Sequence, residues 1–68
     1  MKGPELGECW RIAGGNKAIM RGYAYLFPAA LKCFVFEYIE PANGINFEVF
    51  TKDDFFAITQ KELIKDVQ

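Results

Sequence analysis

Side chains that could carry out catalysis are scarce in this chain of 68 residues. It contains no histidine and no serine, so acid–base catalysis by an imidazole and attack by an activated serine hydroxyl are both excluded. Asp53 and Asp54 are adjacent, but neighbouring carboxylates of this kind are more typical of a turn than of a catalytic pair. The sequence therefore predicts a protein that is not an enzyme.

Two cysteines, Cys9 and Cys33, are the remaining candidates for nucleophile or metal ligand. They lie 24 positions apart with no CxxC spacing, and without histidine two isolated thiols cannot complete a tetrahedral metal site. No secretory context accompanies them, so we expect two buried free thiols rather than a disulfide. The sequence predicts neither a metal nor a cofactor.

The overall charge argues against a nucleic-acid partner, and the hydropathy argues against a membrane. The net charge is −1, from eight basic and nine acidic residues, which disfavours binding that depends on neutralising many phosphates. The first residues lead into no apolar signal segment, and no apolar run approaches the ~18 residues of a membrane span. We expect a soluble protein, cytoplasmic by default and not associated with a membrane.

The stretch that must organise the fold lies at residues 31–50. The run over 31–39 is dense in aromatic and β-branched side chains, and the run over 45–50 alternates apolar and polar residues for most of its length. Pro41-Ala42-Asn43-Gly44, between them, combines a proline with an Asn-Gly pair that tolerates positive φ. We expect an antiparallel hairpin with a loop of four or five residues.

The two strands of this hairpin differ in their faces. In the second strand Ile45, Phe47 and Val49 share one side, which we expect to be buried, with Phe50 as an exception on the other side. The first strand is apolar on both sides. Such a strand is either central in its sheet or covered on one face by something outside this chain.

Residues before the hairpin predict two further strands. Residues 1–6 have no periodicity and are expected to form a flexible lead-in to a single β-barrel-like domain over 7–68. A first strand is predicted at 8–13, and Gly14-Gly15-Asn16 predicts a turn rather than a phosphate-binding loop, because the glycine spacing fits neither phosphate motif.

The second strand, at 17–27, is long and carries a glycine near its middle. In the first strand, Trp10 and Ile12 share one face, and Cys9 and Arg11 share the other. Gly22 predicts a bulge or sharp bend, and Pro28 ends the strand because proline cannot continue a ladder.

Two interpretations compete for the C-terminal residues. A single helix over 52–66, capped by Thr51, would crowd aromatic residues into its first turns and leave an imperfect apolar stripe. We prefer a short fifth strand over 55–59, followed by a helical turn that Thr59 and Glu62 open as a capping box.

Together these elements predict an all-β domain: a strongly bent, five-stranded antiparallel sheet or small barrel with a short C-terminal helical turn. The strand pattern, and above all Phe55-Phe56-Ala57-Ile58-Thr59-Gln60-Lys61-Glu62-Leu63-Ile64-Lys65-Asp66-Val67, resembles the small SH3-like barrels, and is similar to the end of the photosystem I accessory subunit of that fold. The resemblance implies a docking or accessory role. The first loop, at 14–17, is shorter than in those barrels, and no functional residue carries over.

Aromatic residues form the candidate binding surface. If the core takes the opposite strand faces, a set from the second and third strands is partly exposed: Arg21, Tyr23, Tyr25, Phe27, Phe34, Phe36 and Tyr38. Such a surface suits a protein partner or self-association. With Lys17 and Lys32 nearby it could instead stack the bases of a single-stranded nucleic acid, or the aromatic rings could simply be core. The acidic balance favours the protein partner or a homo-oligomer.

Overall fold

The chain forms one open antiparallel sheet with a short helix on one side. The structure is a computed structural model that describes residues 3–12, 15–58 and 61–64. Its elements are β1 (Cys9–Ile12), β2 (Asn16–Leu26), β3 (Leu31–Ala42), β4 (Ile45–Thr51), α1 (Lys52–Ala57) and β5 (Glu62–Ile64). The strand order is β4-β3-β2-β1-β5, so β4 and β5 form the edges and the sheet does not close. The predicted all-β, five-stranded antiparallel class is confirmed.

The hairpin between β3 and β4 turns more tightly than predicted. Only Asn43 and Gly44 lie between the strands, with φ of 53° and 79°. Two successive residues at positive φ are typical of a two-residue hairpin turn, for which Asn-Gly is the preferred pair. Pro41, which we assigned to the loop, instead belongs to β3, at a place where the pairing with β4 is irregular.

Gly22 marks a bulge in β2, as predicted. The register with β3 shifts between Met20 and Gly22, so that Arg21 is the extra residue. A bulge of this kind reverses which residues face each side of the sheet. Ala18 and Met20 therefore face the core before the bulge, and Tyr23 and Tyr25 share that face after it.

The face of β4 that turns toward the core is the opposite of the one predicted. The side chains expected to be buried are about half exposed: Ile45, Phe47 and Val49. Phe50, taken as the exception, packs against the rings of Phe36 and Phe55, with centroids 5.9 and 6.4 Å away. The prediction was wrong because it treated Glu48 as a marker of the solvent side.

Glu48 faces inward because it has a partner there. It lies opposite Phe36 on β3, and its carboxylate accepts a hydrogen bond from the hydroxyl of Tyr38. Since β4 is an edge strand, the carboxylate is only partly buried, and the hydrogen bond satisfies the group. Because side chains alternate along a strand, the inward orientation of this one side chain fixes the orientation of every other residue in β4.

Helix α1 supplies the centre of the core. The Thr51 hydroxyl accepts a hydrogen bond from the Asp54 backbone N–H, which caps the helix at its first turn. The helix places Phe55, which is fully buried, against the aromatic side chains of β3. Its ring stacks on Phe36 at 5.6 Å and meets Trp10 edge to face at 5.3 Å.

The C-terminal elements occur in the opposite order to the one predicted: a helix comes first and a strand follows. Residues 55–59 were expected to be a strand, yet 55–57 belong to α1, and Glu62, expected in a helical turn, begins β5. Thr59, the other half of the expected capping box, lies outside the described residues. The cap at Thr51 and the burial of Phe55 explain the helix, and it ends at Ala57 because Ile58 is already extended.

The last strand returns to β1. Glu62 lies beside Arg11, with a nitrogen–oxygen distance of 3.6 Å. The Lys61 ammonium donates to the backbone carbonyls of Ile58 and Phe56 at 2.8 and 3.4 Å, which fixes the connection from α1 to β5. No helix within the described ranges has the length and apolar character needed to cross a membrane.

Candidate functional site

The seven residues predicted to form a binding surface do not stay together. Phe34, Phe36 and Tyr38 lie in the hydrophobic core, where their rings face α1. Their strand is internal in the sheet, and these three side chains lie on the side that α1 covers. All three rings belong to the core, and Phe36 and Tyr38 do not line the open depression described below.

Arg21 is also separated from the aromatic residues. It sits at the β2 bulge, and its guanidinium donates to the Glu37 carboxylate at 2.8 Å. Glu37 alternates with the buried Phe36 and Tyr38, so it points to the other side of the sheet. Arg21 therefore belongs to the face away from α1, paired with an acidic side chain.

Besides Arg21, three of the predicted residues, all aromatic, remain on the surface. Tyr23 is 42% exposed, Tyr25 56% and Phe27 85%. The two tyrosines are next neighbours on one face of β2, opposite Phe34 and Lys32 of β3. These two exposed rings lie beside the buried Phe34 and extend the aromatic core out to solvent.

Lysine side chains accompany these tyrosines. The Lys32 ammonium lies 4.3 Å from the centre of the Tyr23 ring, over its face. Tyr23 in turn meets the buried Phe34 edge to face, with centroids 6.0 Å apart. Contacts with Phe34 on the core side and with the Lys32 ammonium hold the Tyr23 ring in a defined orientation, and part of the ring stays open to solvent.

An open depression of about 340 Å³ lies beside this pair. The residues that line it come from the N-terminal segment, β2, β3 and α1: Gly3, Pro4, Glu5, Tyr23, Lys32, Phe34, Lys52 and Phe56. Its floor is aromatic, and its rim carries two ammonium groups and one carboxylate. We call Tyr23, Tyr25, Lys32, Lys52 and Phe56 the aromatic–lysine surface.

The sequence did not predict that the N-terminal segment and α1 line this depression. Pro4, inside the predicted flexible lead-in over 1–6, is buried, and Gly3 lies close to the Phe34 and Phe56 rings. Met1 and Lys2 lie outside the described residues. Lys52 and Phe56 reach the site because α1 begins directly after β4, and the Thr51 cap with Asp54 was the signal that could have placed them.

The side chains around this depression offer two kinds of non-covalent contact. Aromatic faces offer apolar contact area, and the two lysines attract carboxylate or phosphate groups. Across the described ranges, no three Cys, Asp or Glu side chains come together as a group that could hold a metal ion. Both cysteines are free and buried.

Comparison of the chain with protein-family models, with curated proteins and with solved structures found no match in any of the three. Any function must therefore be inferred from the surfaces of this molecule.

Proposed function

We propose that this protein is a small, non-enzymatic interaction module that binds a protein partner through the aromatic–lysine surface. The observation that carries the proposal is the Lys32 ammonium seated over the half-exposed Tyr23 ring at the edge of an open depression. Tyrosine rings of this kind are enriched at the energetic centres of protein interfaces. The partner segment would be acidic and carry apolar side chains, which suits two ammonium groups around an aromatic floor.

A protein is favoured over a nucleic acid because the positive charge is local and small. Lys32 and Lys52 line the depression together with Glu5, and the chain as a whole carries a net charge of −1. Binding of a single strand usually needs a continuous basic groove along the backbone. A short acidic peptide needs only a few complementary charges and an apolar contact.

The resemblance of the C-terminal residues to small SH3-like barrels supports the same class of function. We propose that the sheet is an open relative of that fold, in which a helix after the fourth strand leads to a fifth strand beside the first. Members of that fold serve mostly as docking and accessory modules, although fold alone does not determine function. A cytoplasmic location is part of the proposal, and the free thiols of Cys9 and Cys33 support it.

The proposal is tested by selecting ligands from a library of short random peptides displayed against the full chain. A parallel selection uses the Tyr23→Ser/Tyr25→Ser variant, in which the exposed rings are removed. We expect peptides that bind only the unmodified protein, and we expect them to combine Asp or Glu with aliphatic or aromatic residues. Resonance shifts on adding such a peptide should centre on Tyr23, Lys32 and Phe56.

Selected peptides that bind both proteins equally would contradict the assignment of the surface. A single-stranded oligonucleotide supplies the competing class of ligand. If it binds tightly and loses affinity steeply between about 50 and 200 mM salt, the partner is a nucleic acid and the proposal fails.

A further inference from the structure

The face of the sheet away from α1, which we call the outer face, exposes more apolar surface than the aromatic–lysine surface does. Six large apolar side chains on β2, β3 and β4 point to this side, each between 48% and 54% exposed: Leu26, Leu31, Ile39, Ile45, Phe47 and Val49. Ile19 and Val35 lie half-buried among them. α1, the one helix in the described ranges, packs on the inner face. A sheet with two apolar faces normally has a layer on each.

We propose that the outer face is the interface between two copies of this chain, packed sheet against sheet about a two-fold axis. This surface is distinct from the one assigned to a protein partner, because it lies on the opposite side of the sheet. The proposal therefore does not depend on the proposed function.

The apolar area matches what a stable dimer needs. A large side chain presents on the order of 200 Å² when free, so six half-exposed ones offer roughly 600 Å² per copy. That is at the upper limit of the largest apolar patch on a typical monomer, about 300–600 Å². With Ile19 and Val35 added, it approaches the ~800 Å² that each partner contributes to a standard interface.

The charges on this face favour a copy of the same chain over a charged partner. Apart from Lys17 at the start of β2, the outer-face positions of β2, β3 and β4 carry only Arg21 and Glu37, and these two are paired at 2.8 Å. A neutral apolar face offers nothing to select an acidic or a basic partner. Arg21 and Glu37 neutralise each other within one copy, so this ion pair does not call for a charged group from a partner.

The outer face has a raised row of side chains on β4 and a low strip on β2, and the two can fit together between copies. Ile45, Phe47 and Val49 form a ridge along β4, whereas Gly22 and Ala24 leave β2 low, and a Cβ placed on Gly22 meets no atom within 4 Å. Facing sheets pack about 10 Å apart. A two-fold axis parallel to β3, midway between them, lays β4 of one copy over β2 of the other. Such an axis keeps the level of each residue along the strands, and Val49 and Gly22 both pair with Val35, so Val49 of each copy fills the low position at Gly22 of the other.

The mass of the full chain in solution tests the proposal directly. Sedimentation equilibrium from low micromolar to high micromolar concentration should show a transition from the chain mass of 7.8 kDa to twice that mass. Phe47→Lys places a charge in the centre of the ridge and should raise the dissociation constant of the dimer by about thirtyfold or more. Its fold should persist, because Phe47 is half exposed, and a circular dichroism melt checks this.

Tyr25→Lys is the matched control, since Tyr25 is 56% exposed and Phe47 54%, but the two lie on opposite faces. The control should leave the dissociation constant of the dimer within about threefold. A chain that keeps the monomer mass at every concentration would overturn the proposal. So would a dimer that Tyr25→Lys dissociates while folded Phe47→Lys does not, because the inner side of the sheet would then be the interface.

Discussion

The ammonium of Lys32 lies 4.3 Å from the centre of the Tyr23 ring, over its face. The same ring meets the buried Phe34 edge to face, with centroids 6.0 Å apart. Tyr23 therefore connects the core to the surface, and Lys32 marks the point where a ligand would meet both a cation and an aromatic face. The predictions below follow from this division between core and surface.

Lys32→Met should weaken the binding of an acidic peptide while leaving the stability of the fold almost unchanged. The substitution keeps an unbranched apolar side chain but removes the charge, and an exposed cation–π contact contributes only about 0.5–1 kcal/mol. We expect the free energy of unfolding to fall by no more than that, while affinity for an acidic peptide falls about tenfold. Denaturant titration and peptide binding measure the two quantities. Lys17→Met, outside the site, is the control and should change neither.

Phe55→Ala should be among the most destabilising single substitutions. The ring is fully buried and touches Trp10, Phe34 and Phe36, so its loss should lower the free energy of unfolding by about 3–5 kcal/mol. Chemical denaturation measures the change.

Phe47→Ala is the matched comparison, measured below the concentration at which the chain associates. Its ring is 54% exposed, so the cost should stay below about 1.5 kcal/mol. Equal losses for Phe47→Ala and Phe55→Ala would mean that the outer face of β4 is buried within a single chain.

Gly44→Val should destabilise the β3–β4 hairpin. Gly44 has a φ of 79°, which a β-branched residue rarely adopts, so the free energy of unfolding should fall by about 1–2 kcal/mol. Gly44→Asn is the conservative variant, because asparagine tolerates positive φ, and it should recover most of the loss. An unchanged melting curve for the valine variant would show that the turn has another geometry.

Tyr38 should make the fold sensitive to alkaline pH. Burial, with the hydrogen bond to Glu48, raises the pKa of Tyr38 from 10.0 to about 12. The folded protein holds this proton more tightly than the unfolded chain does, so the stabilisation is complete below pH 10 and is lost as the pH rises toward about 12. The free energy of unfolding should therefore fall more steeply over that interval in the unmodified protein than in Tyr38→Phe. Parallel slopes would contradict the hydrogen bond.

The sequence predicted the strand content because local patterns governed it. Asn43-Gly44 indicated a turn, and Gly22 indicated an irregular strand. The two apolar faces of β3 indicated either a central strand or one covered from outside the chain, and β3 is internal in the sheet. These features depend on backbone conformation and on neighbours in sequence. Their outcomes could be worked out without knowing what packs against them.

The faces of β4 and the order of the C-terminal elements depended on tertiary contacts instead. Glu48 points inward because Tyr38, ten residues away, donates to it, and no local rule predicts that pairing. Phe55 and Phe56 have the side chains of a strand, but the Thr51 cap and packing against the hydrophobic core select a helix. The site was half predictable for the same reason: Tyr23 and Tyr25 were identified, whereas Lys52 and Phe56 depended on the helix.

The most direct test of the aromatic–lysine surface is to remove its two exposed rings and measure folding and binding in the same variant. Tyr23→Ser/Tyr25→Ser should keep a melting temperature close to that of the unmodified protein, because side chains that are already largely in solvent contribute little of the ~25 cal/mol per Å² that burial provides. It should lose measurable binding of the selected acidic peptides. A folded double variant that binds those peptides with unchanged affinity would contradict the account, and so would a loss of 3 kcal/mol or more in the free energy of unfolding, which would place both rings inside the core.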